Sequence, residues 1–152
     1  MASLLEEFTI LIAEFERREI PYAVCGGLAM AIHGAPRATI DIDLMVQSED
    51  LERSWKTAKS LGYHVEGLPL NFDDGAVQIR RLSKIEPERN RLITVDFLLV
   101  TERTRQVWAD RKRVTWAKGT ISTVSREGLI ELKKLSGRPQ DLVDIQRLQN
   151  ES

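Results

Sequence analysis

The chain is 152 residues long with a net charge of −1, large enough to bury a sizeable core in one domain. Hydrophobic residues at 42% and charged residues at 30% exclude disorder as the main theme. A lone Cys25 excludes an internal disulfide, and His33 and His64 lack further Cys or His at zinc-ligand spacing; with no basic leader and no run near the ~20 apolar residues of a membrane span, a cytoplasmic chain without membrane association is expected.

Ser3-Leu4-Leu5-Glu6 has the form of a capping box, and Leu4, Phe8, Leu11, Ile12 and Phe15 then recur at helical spacing, so the chain opens with an amphipathic helix. After Pro21, Tyr22–Cys25 reads as a short buried strand ending at the turn Gly26-Gly27. Leu28–His33 has helical composition and stops at Gly34, and Pro36 blocks a return to helix. A strand over Thr39–Val46 leads to Ser48, which can cap a helix carrying Leu51, Trp55, Ala58 and Leu61. Strands are expected near Tyr63–Glu66 and Val77–Leu82, then a polar loop over Ser83–Arg91. Leu92–Val100 is apolar except for Thr94 and Asp96 and predicts a central strand covered on both faces. A helix near Glu102–Ala109, a hairpin between Val114 and Val124, and helices at Arg126–Ser136 and Pro139–Gln149 complete one domain over 1–152. Its core is expected to run to about residue 101, with a C-terminal hairpin and helices beyond.

Charge is unevenly spread. Residues 1–79 hold 6 Lys or Arg against 13 Asp or Glu, and residues 80–138 hold 15 against 7. The split fits metal-binding carboxylates facing phosphate-binding cations, and equally fits unlike surfaces that attract each other.

Residues two apart in a strand share a face, so Asp41 and Asp43 point together, away from Ile40, Ile42 and Leu44. Two parallel carboxylates repel unless water screens them or a cation lies between them. Asp96 sharpens the question, because a lone buried carboxylate costs several kcal/mol without a partner. An arginine could be that partner. Alternatively, the strand of Asp96 lies beside that of Asp41 and Asp43, and the three share magnesium, a hard ion suited to carboxylate oxygen. Gly26-Gly27, between a strand and a helix start, lets backbone N–H groups approach an anion, although the G-x-G-x-x-G spacing is absent. A β-branched side chain at Gly27 is therefore expected to obstruct phosphate more than folding. Arg37 and Thr39, just before the acidic strand, could reach phosphate oxygens, or Arg37 could form an ion pair.

The order strand, Gly-Gly, short helix, Arg37-x-Thr39-x-Asp41-x-Asp43 and a distant strand with one Asp resembles the nucleotidyltransferase superfamily named for polymerase β. Residues 25–44 most resemble the branch that includes abortive-infection toxins of toxin–antitoxin systems, and Leu129–Ile145 is similar to that branch's C-terminal helices. The resemblance implies an α/β (α+β) nucleotidyltransferase fold, a mixed sheet flanked by helices. It implies two magnesium ions on Asp41 and Asp43, with Asp96 holding one of them and helping to activate the attacking hydroxyl. A nucleoside triphosphate would sit on Gly26 and Gly27, with Lys133 and Arg138 as phosphate contacts. The acceptor, whether protein, RNA or small molecule, is left open, and a partner protein or a second copy of the chain could present it. The rival function is a catalytically silent interaction module of the same fold, an antitoxin or regulator.

Overall fold

The computed structural model describes residues 3–116 and 119–150. Helix α1 (Leu4–Arg17) begins at Ser3, whose hydroxyl accepts from the Glu6 N–H, and buries Phe8, Leu11, Ile12 and Phe15. Strand β1 (Ala23–Cys25) runs directly into the short helix α2 (Gly26–Ile32), and β2 (Asp41–Val46) follows, two residues shorter than its sequence suggests. Helix α3 (Leu51–Ser60) leads to the two-residue β3 (Val65–Glu66), β4 (Leu70–Phe72), and the long hairpin β5 (Val77–Glu86) and β6 (Arg91–Leu99). Then come α4 (Arg105–Ala109), β7 (Lys112–Trp116), β8 (Gly119–Thr123), α5 (Arg126–Ser136) and α6 (Pro139–Asn150).

Among the described residues, eight strands join one mixed sheet in the order β3-β5-β6-β2-β1-β8-β7, with β4 continuing β3 along the outer edge of β5. β2 runs parallel to β6, and β1 parallel to β8; β1–β2, β5–β6 and β7–β8 are antiparallel. On one face, Leu82, Val95 and Ile42 align across three strands, as do Phe97, Leu44 and Val24, and all are buried. Helices α1 and α3 cover this face, with Phe15 stacked on Phe97 at 6.2 Å between ring centroids and Trp55 beside it. This is the core that the apolar periodicities of both helices predict.

Three expectations need correction. The polar stretch from Ser83 is strand, turning only at Pro87–Asn90, where Asn90 adopts the left-handed conformation (φ 48°). Its polar side chains are paired: Ser83 Oγ lies 2.9 Å from Thr94 Oγ1, and Lys84 Nζ lies 2.7 Å from the buried Glu7, which also accepts from Tyr63 Oη at 2.9 Å. A buried polar group tolerates a strand position once it is hydrogen-bonded. Strand β4, hidden among Pro, Asn and Asp residues, has no counterpart in the sequence reading. The central strand is covered only from Ile93 onward, since Leu92 is 56% exposed. Among the described residues, no helix is long and apolar enough to cross a membrane.

Candidate active site

The second face of the sheet carries a charged row. Register aligns Arg81 (β5), Asp96 (β6), Asp43 (β2) and Cys25 (β1) directly across four strands, and one step along it aligns Ser83, Thr94 and Asp41. Side chains opposite one another on adjacent strands share a face, so Asp41, Asp43 and Asp96 meet on one side, brought from strands more than fifty residues apart. The expected juxtaposition is present.

Asp41 and Asp43 have no hydrogen-bond or ion-pair partner for their carboxylates among the described residues. Desolvation, then the negative charges of Asp96 and Asp41, push the Asp43 carboxyl up to about 7 against an ordinary 3.8, with Lys133 and Arg138 pulling the other way. Asp41 is raised too, by burial and then by Asp96. Asp96 differs. Both its oxygens are engaged by Arg81, Nε to Oδ1 at 2.7 Å and Nη2 to Oδ2 at 2.9 Å. The arginine partner and the carboxylate cluster, alternatives in the sequence, coexist.

The glycine pair makes room for the acidic row. Gly26 has φ +64°, and a Cβ on it would lie 2.0 Å from Asp43 Oδ2. Gly27 is buried, and its Cβ would lie 2.5 Å from Thr39 Oγ1. A β-branched residue at Gly27 would also meet Thr39, which already fills that space, so it should cost stability as well as access for phosphate. Gly26→Ala should cost about 1–2 kcal/mol from the left-handed backbone alone, and by displacing Asp43 it should erase any magnesium-dependent rise in melting temperature. Paired thermal melts with magnesium and with chelator check both effects.

The side chains expected at phosphate are paired with carboxylates of α6 or packed on the glycine turn. Arg37 Nε donates to both oxygens of Asp144 at 3.0 Å, tying the segment before β2 to α6. Lys133, 5% exposed, lies 2.8 Å from Asp144 Oδ2 and 3.7 Å from Asp141 Oδ1. Arg138 Nε lies 2.9 Å from Asp141 Oδ2, which also accepts from the Arg138 N–H and so caps α6. Thr39 packs on Gly27 and donates weakly to the Asp41 carbonyl at 3.4 Å. His33 is a structural tie, its Nε2 lying 2.8 Å from the Val124 carbonyl oxygen.

The carboxylates of Asp41 and Asp43 are oxygen donors of the kind a hard divalent cation takes. Two unpaired carboxylates, with a proton held up to near neutrality by burial and then by like charge, are what a cation would relieve. Yet among the described residues no three His, Cys, Asp or Glu side chains are placed to hold a metal ion together, and Asp96 faces Arg81. Arg81 itself is absent from the sequence reading. Its signal is the turn Pro87-Glu-Arg-Asn90: pairing Glu86 with Arg91 carries the register back to Arg81 and Asp96.

Opposite shifts in two clusters give a pH prediction. Asp43 and Asp41 have raised carboxyls, so the metal-free folded state holds their protons more tightly than the unfolded chain; stability is greatest where they are protonated and declines as pH climbs from the ordinary carboxylate range through 7. Burial works to raise Asp141 and Asp144, but hydrogen bonds from Arg138 and Ser136, and from Lys133 and Gln140, outweigh it and hold both below 3.8. Their contribution is present above the ordinary value and lost as pH falls through the folded one. Melting temperature with chelator should therefore peak near about pH 4, and magnesium should flatten the alkaline limb.

No protein-family model matches the chain, and no curated protein matches it in sequence. Solved structures do match it in shape. TM1012 of Thermotoga maritima, provisionally assigned as a nucleotidyltransferase, superposes with a TM-score of 0.63 at 14% identity over 97% of this chain and 93% of that one. ANT(2'')-Ia, in a complex with adenylyl-2''-tobramycin, gives 0.62 at 15% identity over 93% and 85%. JHP933 of Helicobacter pylori gives 0.56 at 13% identity over 91% and 61%. The mixed sheet with flanking helices is the fold of these nucleotidyltransferase neighbours.

Proposed function

We propose that a chain with this fold and this carboxylate row is a magnesium-dependent nucleotidyltransferase, moving a nucleoside monophosphate from a nucleoside triphosphate to a hydroxyl acceptor. The observation that carries the reading is the register: Asp43 lies directly beside Asp96, with Asp41 on the same face and Gly26 under the Asp43 carboxylate. In the transfer, the acceptor oxygen bonds to the α-phosphorus, the α–β bridging bond breaks, pyrophosphate leaves, and the acceptor proton passes to a base, the role assigned to Asp96. Asp41, Asp43 and Asp96 would hold magnesium, which when bound neutralises the charge that develops on the attacking and leaving oxygens. Gly26 and Gly27 would let the chain approach the triphosphate. Lys133 and Arg138 would have to leave Asp144 and Asp141 to touch phosphate, as Arg37 and Thr39 would have to leave Asp144 and Gly27.

ANT(2'')-Ia with its adenylylated tobramycin supports a small-molecule hydroxyl as acceptor; the basic stretch 80–138 supports protein or RNA acceptors that carry negative charge. The resemblance of residues 25–44 to abortive-infection toxins supports a cytoplasmic place in a toxin–antitoxin or phage-defence system, with a partner protein or second copy presenting the acceptor. One observation favours the silent interaction module: Asp96 is already neutralised by Arg81. Incubating the protein with α-labelled ATP, GTP, CTP or UTP, magnesium and cell extract separates the readings. Label on an acceptor, lost in Asp43→Asn, is expected, and it identifies base and acceptor class together. No transfer from any of the four nucleotides would favour the silent module.

A further inference from the structure

We propose that Arg81 is a substrate-binding residue that holds Asp96 until a divalent cation takes its place there, and then binds the triphosphate. This rests on the nucleotidyltransferase reading of the site. A guanidinium and a divalent cation compete for the same oxygens, since the fork of Arg81 already satisfies both oxygens of Asp96. The two partners are unequally placed. The Asp96 side chain is 10% exposed, whereas that of Arg81 is 42% exposed, so the arginine is the one free to leave. Its exit is prepared by Gly67, between β3 and β4. The Gly67 N–H donates to the Arg81 carbonyl at 2.9 Å, and a Cβ on Gly67 would lie 3.1 Å from Arg81 Cβ and 3.3 Å from Cγ. The missing side chain leaves the stem of Arg81 uncrowded while its backbone stays in register. Once displaced, the guanidinium remains on the face of Asp41 and Asp43, where the anion within reach is the triphosphate that the cation brings.

The arrangement makes cation and nucleotide depend on each other, because a bare cation must displace Arg81 with nothing to receive it. The test measures manganese binding by loss of the free-ion paramagnetic signal, and binding of a non-hydrolysable ATP analogue by calorimetry, on wild type, Arg81→Gln, Arg81→Lys and Asp43→Asn. Circular dichroism verifies the fold of each. In Arg81→Gln, manganese alone should bind about tenfold more tightly, and the analogue with saturating manganese about tenfold more weakly, the scale of one charge-assisted contact. Arg81→Lys should recover part of the nucleotide affinity. An ion pair that is only structural predicts neither change, and two constants within twofold of wild type would overturn the proposal. Tighter manganese with unchanged nucleotide affinity would also overturn it, since Arg81 would then only screen Asp96. Asp43→Asn reports on the site itself. Wild type that binds manganese and analogue while Asp43→Asn does not leaves the site reading standing whatever Arg81 does, and absence of manganese binding in every protein, with or without the analogue, sinks both.

Discussion

Asp43→Asn is expected to lower nucleotide transfer by about a hundred- to a thousandfold, the scale on which removing one stabiliser of transition-state charge acts, while raising the melting temperature in chelator by a few degrees. Asp43 lies beside Asp96 and on the face of Asp41, and no described group hydrogen-bonds to its carboxylate. In the metal-free chain near pH 7.5 it is a mostly ionised group in an environment that resists ionisation. The near-isosteric amide removes that repulsion and fills the same space against Gly26. Magnesium supplies the same relief to the wild type by binding the folded state alone, so the two melting curves should converge or cross as magnesium rises. A variant that melts well below wild type in chelator would mean that Asp43 supports the fold, and one that still transfers at the wild-type rate would remove it from the site.

Lys133→Met should destabilise the protein by about 2–3 kcal/mol, the cost of losing charge-assisted hydrogen bonds from a buried cluster that keeps its other cations. For a chain of this length that is a fall in melting temperature on the order of 10 °C. Lys133 is the buried cation between Asp141 and Asp144, which are 1% and 0% exposed. Methionine keeps the volume and removes the charge. Arg37 and Arg138 remain on the two carboxylates from the outer side, which should keep the loss short of complete unfolding. Thermal and urea melts of Lys133→Met, Asp144→Leu and the double variant form a cycle: the double variant should be clearly less destabilised than the sum of the singles. An additive cycle would show that Lys133 and Asp144 are not energetically paired.

The elements dominated by one periodicity are those that the amino-acid pattern makes legible. The heptad-like spacing from Leu4 to Phe15, the alternation through Asp41–Val46 and the apolar run before Val100 each have one reading, and each forms its element. Ser83–Glu86 defeats the same logic, because a polar strand residue is paid for by a partner far along the chain, Thr94 or Glu7, which local pattern does not reveal. The site divides in the same way. Asp41 and Asp43 are legible from two-residue spacing, and Asp96 from its isolation among apolar neighbours. That Arg37, Lys133 and Arg138 pair with Asp141 and Asp144 is not legible until α6 brings those carboxylates against them, and Arg81 is silent until the hairpin register is known.

The parallel pairing of β1 with β8 also sets a schedule for synthesis. Val24 waits for Thr123 as its neighbour, so one edge of the central strands stays open while about a hundred further residues emerge, roughly 5–20 s at ribosomal rates. During that interval the nascent sheet presents unpaired N–H and C=O groups beside an apolar core, a template for pairing with another chain. Closure comes with the β7–β8 hairpin, whose basic first strand, beginning Lys112-Arg113, then becomes the outer margin and discourages further strands from adding.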